Sequence, residues 1–372
     1  MERDDEKIPS EVWQHLIFPF IDGFSLMRGC FYVSKNWSLM VSEMRNCSLI
    51  VDKKNVHNRI LKRICNHLPI MHVTALDMSY NIFDKNSIET LKNGKNLKLE
   101  QLNSLHLVYN NIGLEVLTPL LECNVLNNLT RLNLDSNIVH DGLKYLLECK
   151  NLRNLEYLIV KNNAMTNIRK TQIESNNNFP KLTYLDISSN TIGAYGTKLL
   201  SDSGILNNLQ TLNISYNLLR NGAKYLGRNS TFMENVTHLD LSNNNLKVEG
   251  LTQLLKFLKS SKLKILNLSN NNIGNDGISK LIECTHLKSL EKLSLIENDI
   301  GAQGVNLLAN TPFENLTFLN LNRNPISHNS RNLFQPNNFP KLKEIKLSKE
   351  VAIKQASNYE SYAFIYSRNK YR

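Results

Sequence analysis

The residues of this 372-residue chain best suited to chemistry are its histidines, its carboxylates and six cysteines. His106 and His238 are candidate metal ligands, and Asp186 and Asp240 form a candidate acid–base pair. Each falls within a short apolar-alternating segment, so distance along a stack of such segments decides whether they can meet. The two histidines are five segments apart, roughly 24 Å at ~4.8 Å per strand step, too far to share one metal ion. The two aspartates are two segments apart, ~10 Å, near the upper limit for an inverting carboxylate pair and without a cavity to enclose it. Cys30, Cys47, Cys65, Cys123, Cys149 and Cys284 show no CxxC pair and no zinc-ligand spacing. The chain also lacks a P-loop, an HExxH, a dinucleotide glycine motif and a nucleophile elbow. Catalysis, a metal and a cofactor are therefore not expected.

The elements that position these residues repeat. Val73-Leu76-Met78-Asn81 opens a series continued by Leu102-Leu105-Leu107-Asn110, Leu129-Leu132-Leu134-Asn137 and Leu155-Leu158-Val160-Asn163. It runs on to Asn190, Asn217, Asn244, Asn271, Asn298 and Asn324, with gaps of 29, 27, 26, 27, 27, 27, 27, 27 and 26 residues. An eleventh strand, Leu342-Ile345-Leu347, has Glu350 in place of the asparagine. Alternation with period two makes each Leu-x-Leu a strand with one face inward. An asparagine ending each strand must find backbone partners when buried, and stacked copies predict a ladder. Glycines such as those in 271–278 permit the turn into a helix, and Gly250-Leu251-x-x-Leu254-Leu255-x-x-Leu258 has helical spacing. Leu-Leu-Glu-Cys or Leu-Ile-Glu-Cys precedes or ends at Cys123, Cys149 and Cys284, which predicts small thiols packed between helices.

A strand and a helix every ~27 residues resembles the ribonuclease-inhibitor-like and cysteine-containing leucine-rich repeats. The resemblance covers residues 73–350 and implies an α/β leucine-rich-repeat solenoid, a horseshoe with a parallel concave sheet and convex helices. Such arrays need capped ends. The expected caps are 48–72, a linker or N-terminal cap, and 351–372, a C-terminal cap and tail using Tyr359, Tyr362, Phe364, Ile365 and Tyr366.

Residues 8–47 lack the repeat. Ile8-Pro9-Ser10-Glu11-Val12-Trp13 leads into Leu16-Ile17-Phe18-Pro19-Phe20-Ile21-Asp22, then Leu26 and Val33-Ser34-Lys35-Asn36-Trp37. Proline at a helix start and apolar residues at helical spacing predict a small helical unit, with 1–7 before it expected to be disordered. The segment resembles an F-box, a small all-α unit. Pro19 late in the first helix and one extra residue between Leu26 and Val33 depart from that family's pattern. The resemblance implies docking on a Skp-type adaptor, and through it on a cullin, by Ile8, Pro9, Val12, Leu16, Ile17, Phe20, Ile21 and Leu26. It makes the chain a substrate-recognition subunit of an SCF-type ubiquitin ligase. A leucine-rich-repeat scaffold or inhibitor outside any ligase is the alternative. A Ran-type GTPase activator would need an arginine in an early loop, and the loops after Asn81, Asn110 and Asn137 carry none.

The net charge of +11 is spread over all repeats. Clusters at Lys53, Lys54, Arg59, Lys62 and Arg63, and at Lys341, Lys343, Lys346 and Lys349, read as solvated faces without interleaved aromatics, so nucleic acid is not the expected partner. No apolar run reaches membrane-span length and no secretory signal is visible, which with the cysteine usage points to a cytoplasmic or nuclear protein. Most outward strand positions are polar. The apolar exceptions, with Asp186 beside them, predict where a protein substrate is held: Tyr157, Ile159, Tyr184 and Asp186 in one group, Ile265, Ile296 and Phe318 in another.

Overall fold

A computed structural model describes residues 47–50, 71–93, 97–165, 178–257, 262–311, 313–326 and 339–347. The F-box-like segment, the segment after Leu347 and Leu258 lie outside the described residues. The chain divides into two compact units between Asn163 and Ala164.

In the first unit, strands β1 (Cys47–Ile50), β2 (Met71–Asp77), β4 (Ser104–His106), β5 (Arg131–Asn133) and β6 (Tyr157–Ile159) pair side by side in parallel, and β3 (Leu97–Lys98) also pairs with β2. Helices α1 (Lys85–Asn93), α2 (Leu114–Leu121) and α3 (Leu143–Glu148) follow their strands. β1 lies at the edge of the segment expected to be a linker or cap, so the sheet starts one strand before the repeat pattern does.

The second unit holds β7 (Tyr184–Asp186), β8 (Thr211–Asn213), β9 (His238–Asp240), β10 (Ile265–Asn267), β11 (Lys292–Ser294), β12 (Phe318–Asn320) and β13 (Glu344–Lys346), paired in parallel in chain order. Its helices are α4 (Gly193–Asp202), α5 (Lys224–Arg228), α6 (Ser230–Asn235), α7 (Lys247–Leu255), α8 (Gly274–Glu283) and α9 (Ala302–Ala309).

Strands three residues long are stable because each has a partner, and because the central leucine enters the core. Leu105, Leu132, Leu212, Leu266 and Leu293 are all buried, as are Leu107, Leu134, Ile214, Leu268 and Leu295. A further apolar row lies eleven or twelve residues before most of the asparagines, at Leu126, Leu152, Phe179, Leu206, Phe232, Leu287 and Phe313, with Phe339 at the matching place before Glu350, all buried. Short 3-10 turns such as Asn124–Leu126 and Thr285–Leu287 present two of them. On the helices the apolar stripe turns inward, with Gly250, Leu251 and Leu254 buried on α7 and Gly277, Ile278 and Leu281 on α8. Gly250 also permits close approach, since a Cβ there would lie 2.7 Å from the Arg220 carbonyl oxygen of the preceding repeat.

The asparagines form the expected ladder. Asn137 Oδ1 accepts the N–H groups of Asn110 at 2.9 Å and Ile112 at 3.0 Å, while its Nδ2 donates to the carbonyls of Leu107 and Leu134. In the second unit Asn244, Asn271, Asn298 and Asn324 repeat the pattern; Asn298 Oδ1 accepts from Asn271 N at 3.0 Å, and Asn298 Nδ2 donates to Leu268 O at 2.8 Å. One side chain thus satisfies donors and acceptors from two repeats, which is why a polar residue can stand in the core.

Candidate binding faces

Positions on the outward side are numbered here from each ladder asparagine: strand residues lie six and four before it, and a loop residue two before. In the second unit the latter two rows satisfy each other. Asp186 Oδ1 accepts from Ser188 N and Ser188 Oγ, and its Oδ2 accepts from Asn213 Nδ2 at 3.1 Å. Asp240 repeats this with Ser242 and with Asn267 Nδ2 at 2.9 Å. Asn213 and Asn267 accept from Ser215 and Ser269. Asp186 is therefore buried, its carboxylate engaged with its own face of the sheet, unlike the open outward position read from alternation. Burial, then the Asp186 charge, pushes the Tyr184 phenol pKa up.

Of the other residues predicted to hold a substrate, all lie at outward strand or loop positions, while the predicted adaptor-docking residues between 8 and 26 lie outside the described residues. Tyr157 is exposed and Ile159 half-buried on β6, in the first unit, where the Arg131 guanidinium lies 4.8 Å from the Tyr157 ring centroid. Such stacking is a cation–π contact. In the second unit Tyr184, Ile265, Ile296 and Phe318 are half-buried. Ile265 and Phe318 share an open depression of about 300 Å³ with Thr211, His238, Asp240 and Lys292 among its lining. Ile296 lies outside it. Lys346 sits 5.2 Å from the Phe318 ring centroid and 3.4 Å from Glu344, so one lysine of the C-terminal basic cluster does meet an aromatic.

Another exposed apolar group was not visible in the strand pattern. It lies on the loops, at the residues just before and just after the ladder asparagine. In the first unit Tyr80 (49% exposed), Tyr109 (61%), Ile82 and Ile138 occupy these places, and in the second Tyr216 and Leu218 do. The tyrosine rings of 80 and 109 stack, centroids 5.6 Å apart and planes 11° from parallel. Tyr80, Tyr109 and Tyr216 all have left-handed backbones, φ 60°, 58° and 55°. That conformation costs a bulky residue on the order of 1–3 kcal/mol. It persists because the N–H there extends the sheet: Tyr80 donates to Val108 O at 2.7 Å and Tyr216 to Ser242 O at 3.0 Å. The left-handed turn throws the side chain outward.

On these faces each of the two histidines meets a neighbouring hydroxyl. His106 Nε2 is 3.0 Å from Ser104 Oγ, and His238 Nδ1 is 2.8 Å from Thr237 Oγ1. Among the described residues no group of three His, Cys, Asp or Glu side chains is placed to hold a metal ion, and no helix is long and apolar enough to cross a membrane. Cys123 and Cys149 are buried and Cys284 half-buried, as the packing of small thiols between helices requires. Desolvation by burial pushes the Cys149 and Cys284 thiols up in pKa, partly offset by nearby backbone N–H groups.

The family model described as Leucine Rich repeat matches residues 180–201, 233–255 and 259–281. No curated protein matches the chain in sequence. Among solved structures, a chain of the Rad7 and Elc1 complex in yeast is similar at 16% identity and TM-score 0.55, over 96% of this chain and 91% of that one. An internalin (InlF) from Listeria monocytogenes is 20% identical over 92% of this chain and 98% of that one, with TM-score 0.44. The TLR13–ssRNA13 complex gives 20% identity and TM-score 0.47 over 88% of this chain, which spans 47% of that one. Leucine-rich repeats matched in sequence, stacked parallel strands with helices, and the asparagine ladder place the fold in the α/β leucine-rich-repeat solenoid class.

Proposed function

We propose that this chain is a protein-binding scaffold serving as the substrate-recognition subunit of an SCF-type ubiquitin ligase. The observation that carries the reading is the order of two sequences on one chain. An F-box-like segment, Ile8-Pro9 to Val33-Ser34-Lys35-x-Trp37, precedes an array of repeats whose outward rows carry exposed tyrosines and branched apolar residues. Ile8, Pro9, Val12, Leu16, Ile17, Phe20, Ile21 and Leu26 would seat the Skp-type adaptor, and a cullin would follow through it. A chain of similar fold was solved in the complex of Rad7 and Elc1, and an assembly partner is what this reading gives the present chain. Its contribution is position: a target held on repeats that are bonded to one another stays near a ubiquitin-loaded enzyme. Tyr157, Ile159, Tyr184, Ile265, Ile296 and Phe318 are the proposed contacts, with Asp186 acting through the polar row beneath them.

The test is co-purification of the full chain with a Skp-type adaptor. Wild type is expected to retain the adaptor and Leu16→Asp/Ile17→Asp to lose it, with unchanged thermal midpoints. A wild-type chain that retains no adaptor overturns the ligase reading and leaves a leucine-rich-repeat scaffold. Retention by the double variant overturns the docking surface.

A further inference from the structure

Across β9 to β12 the parallel register sets His238 beside Ile265, Ile265 beside Lys292, and Lys292 beside Phe318. This is the row six before the asparagine, and it lines the depression described above. The neighbouring Asp240, Asn267 and Ser242 spend their hydrogen-bonding capacity on one another, so this row is what the face offers a visitor.

We propose that the row His238–Ile265–Lys292–Phe318 docks an acidic extended segment of the target protein, one that flanks its carboxylates with bulky apolar side chains. The inference rests on the reading that the repeats hold a protein, though not on the ligase. Charge decides the sign of the partner. Lys292 is exposed and makes no ion pair among the described residues. The acids nearby are already engaged: Asp240 by Ser242 and Asn267, Glu291 by Lys264 at 3.0 Å, and Glu344 by Lys346 at 3.4 Å. A partner's carboxylate thus meets a lysine in need of one, whereas a partner's ammonium meets only occupied acids.

Spacing decides the pattern. Ile265 and Phe318 are two strand steps apart, ~10 Å, which a chain in the open polyproline II conformation, three residues per turn at ~3.1 Å each, covers in three residues with both end side chains on one side. Two apolar side chains three positions apart then fit Ile265 and Phe318, and the acids between them flank the long side chain of Lys292. His238 supplies a polar end. Thr237 Oγ1 gives its proton to the Gln210 carbonyl, so it accepts from His238 Nδ1–H, which leaves Nε2 as the ring atom that can meet a polar group of the segment.

The experiment is fluorescence anisotropy with the full chain and a fluorescein-labelled nonapeptide carrying a Leu-Glu-Glu-Phe core in Gly/Ser flanks. Two counterparts carry Leu-Lys-Lys-Phe and Ala-Glu-Glu-Ala. The acidic apolar peptide is expected to bind at least about tenfold tighter than either counterpart, and more weakly as salt rises. Lys292→Glu and, separately, Phe318→Ala are expected to weaken it about tenfold with unchanged thermal midpoints, both residues being outside the core. Equal binding of the lysine peptide, or no effect of Lys292→Glu, overturns the proposal, and so does absence of binding by wild type. Adaptor retention by the same preparation reports on the ligase reading independently.

Discussion

Asn271 Oδ1 accepts the backbone N–H of Asn244 at 3.0 Å, and the same oxygen takes the N–H of Leu246 at 3.2 Å. Its Nδ2 donates in return to Leu241 O, Leu268 O and Ser269 O. Asn271→Ala would strand two buried N–H groups of the preceding repeat, each costing ~1–3 kcal/mol. The expected loss is ~3 kcal/mol in urea unfolding of the full chain. A loss below ~1 kcal/mol would show that the ladder does not hold these repeats together.

Two glycines of the second unit should respond unequally. At Gly250 a Cβ meets backbone oxygen, so Gly250→Ala is expected to lower the thermal midpoint by several degrees. Gly274 is left-handed, φ 59°, with nothing within 4 Å of an added Cβ. The matching positions three after the asparagine hold Arg220 and Lys247 at φ 49° and 53°, so this turn accepts side chains. Gly274→Asn should cost ~1 kcal/mol or less, measured by the same melt.

The stacked Tyr80–Tyr109 pair is exposed, and its coupling should be small. A double-mutant cycle with Tyr80→Ala and Tyr109→Ala is expected to return about 0.5 kcal/mol, the low end for aromatic pairs. Such a value would mean that stacking does not account for two bulky residues in a costly backbone conformation, and would direct the search for a partner to this edge. Coupling above ~1.5 kcal/mol would instead assign the pair to stability.

Iodoacetamide at pH 8 should label Cys284 well before Cys149 in the native chain, with the two rates converging in urea, read by mass spectrometry. Both thiols are raised in pKa by burial, and the more buried one also donates to the Leu121 carbonyl at 3.4 Å. The folded chain therefore holds these protons more tightly than the unfolded chain. That contribution to stability is fully present below the ordinary thiol pKa of 9.0 and declines as pH rises past it towards the folded values.

Much of the architecture was legible because the period-two leucines and the terminal asparagine are required by the same event, a strand closing against its neighbour. Leu105, Leu132 and Asn137 had no other place to be. Cys47–Ile50 escaped notice because four residues without a following asparagine carry too little pattern to mark a strand. The loop tyrosines escaped for a different reason: alternation gives side-chain direction only while the backbone stays extended, and Tyr80, Tyr109 and Tyr216 lie where it turns left-handed. Asp186 was read by direction alone. Its burial follows from Ser188 and Asn213, partners that alternation does not register.

The ladder also has two weak rungs. Asn110 Oδ1 and Asn163 Oδ1 are both buried and accept no hydrogen bond, and Asn110 follows Asn81 after 29 residues, where later steps are 26 or 27. In a stack held by nearest-neighbour bonds, opening begins at the step with fewest of them. Amide protons of β2 and β5 should therefore exchange with solvent deuterium sooner than those of β9, whose rung on Asn271 is complete, like slack stitches in an otherwise tight seam.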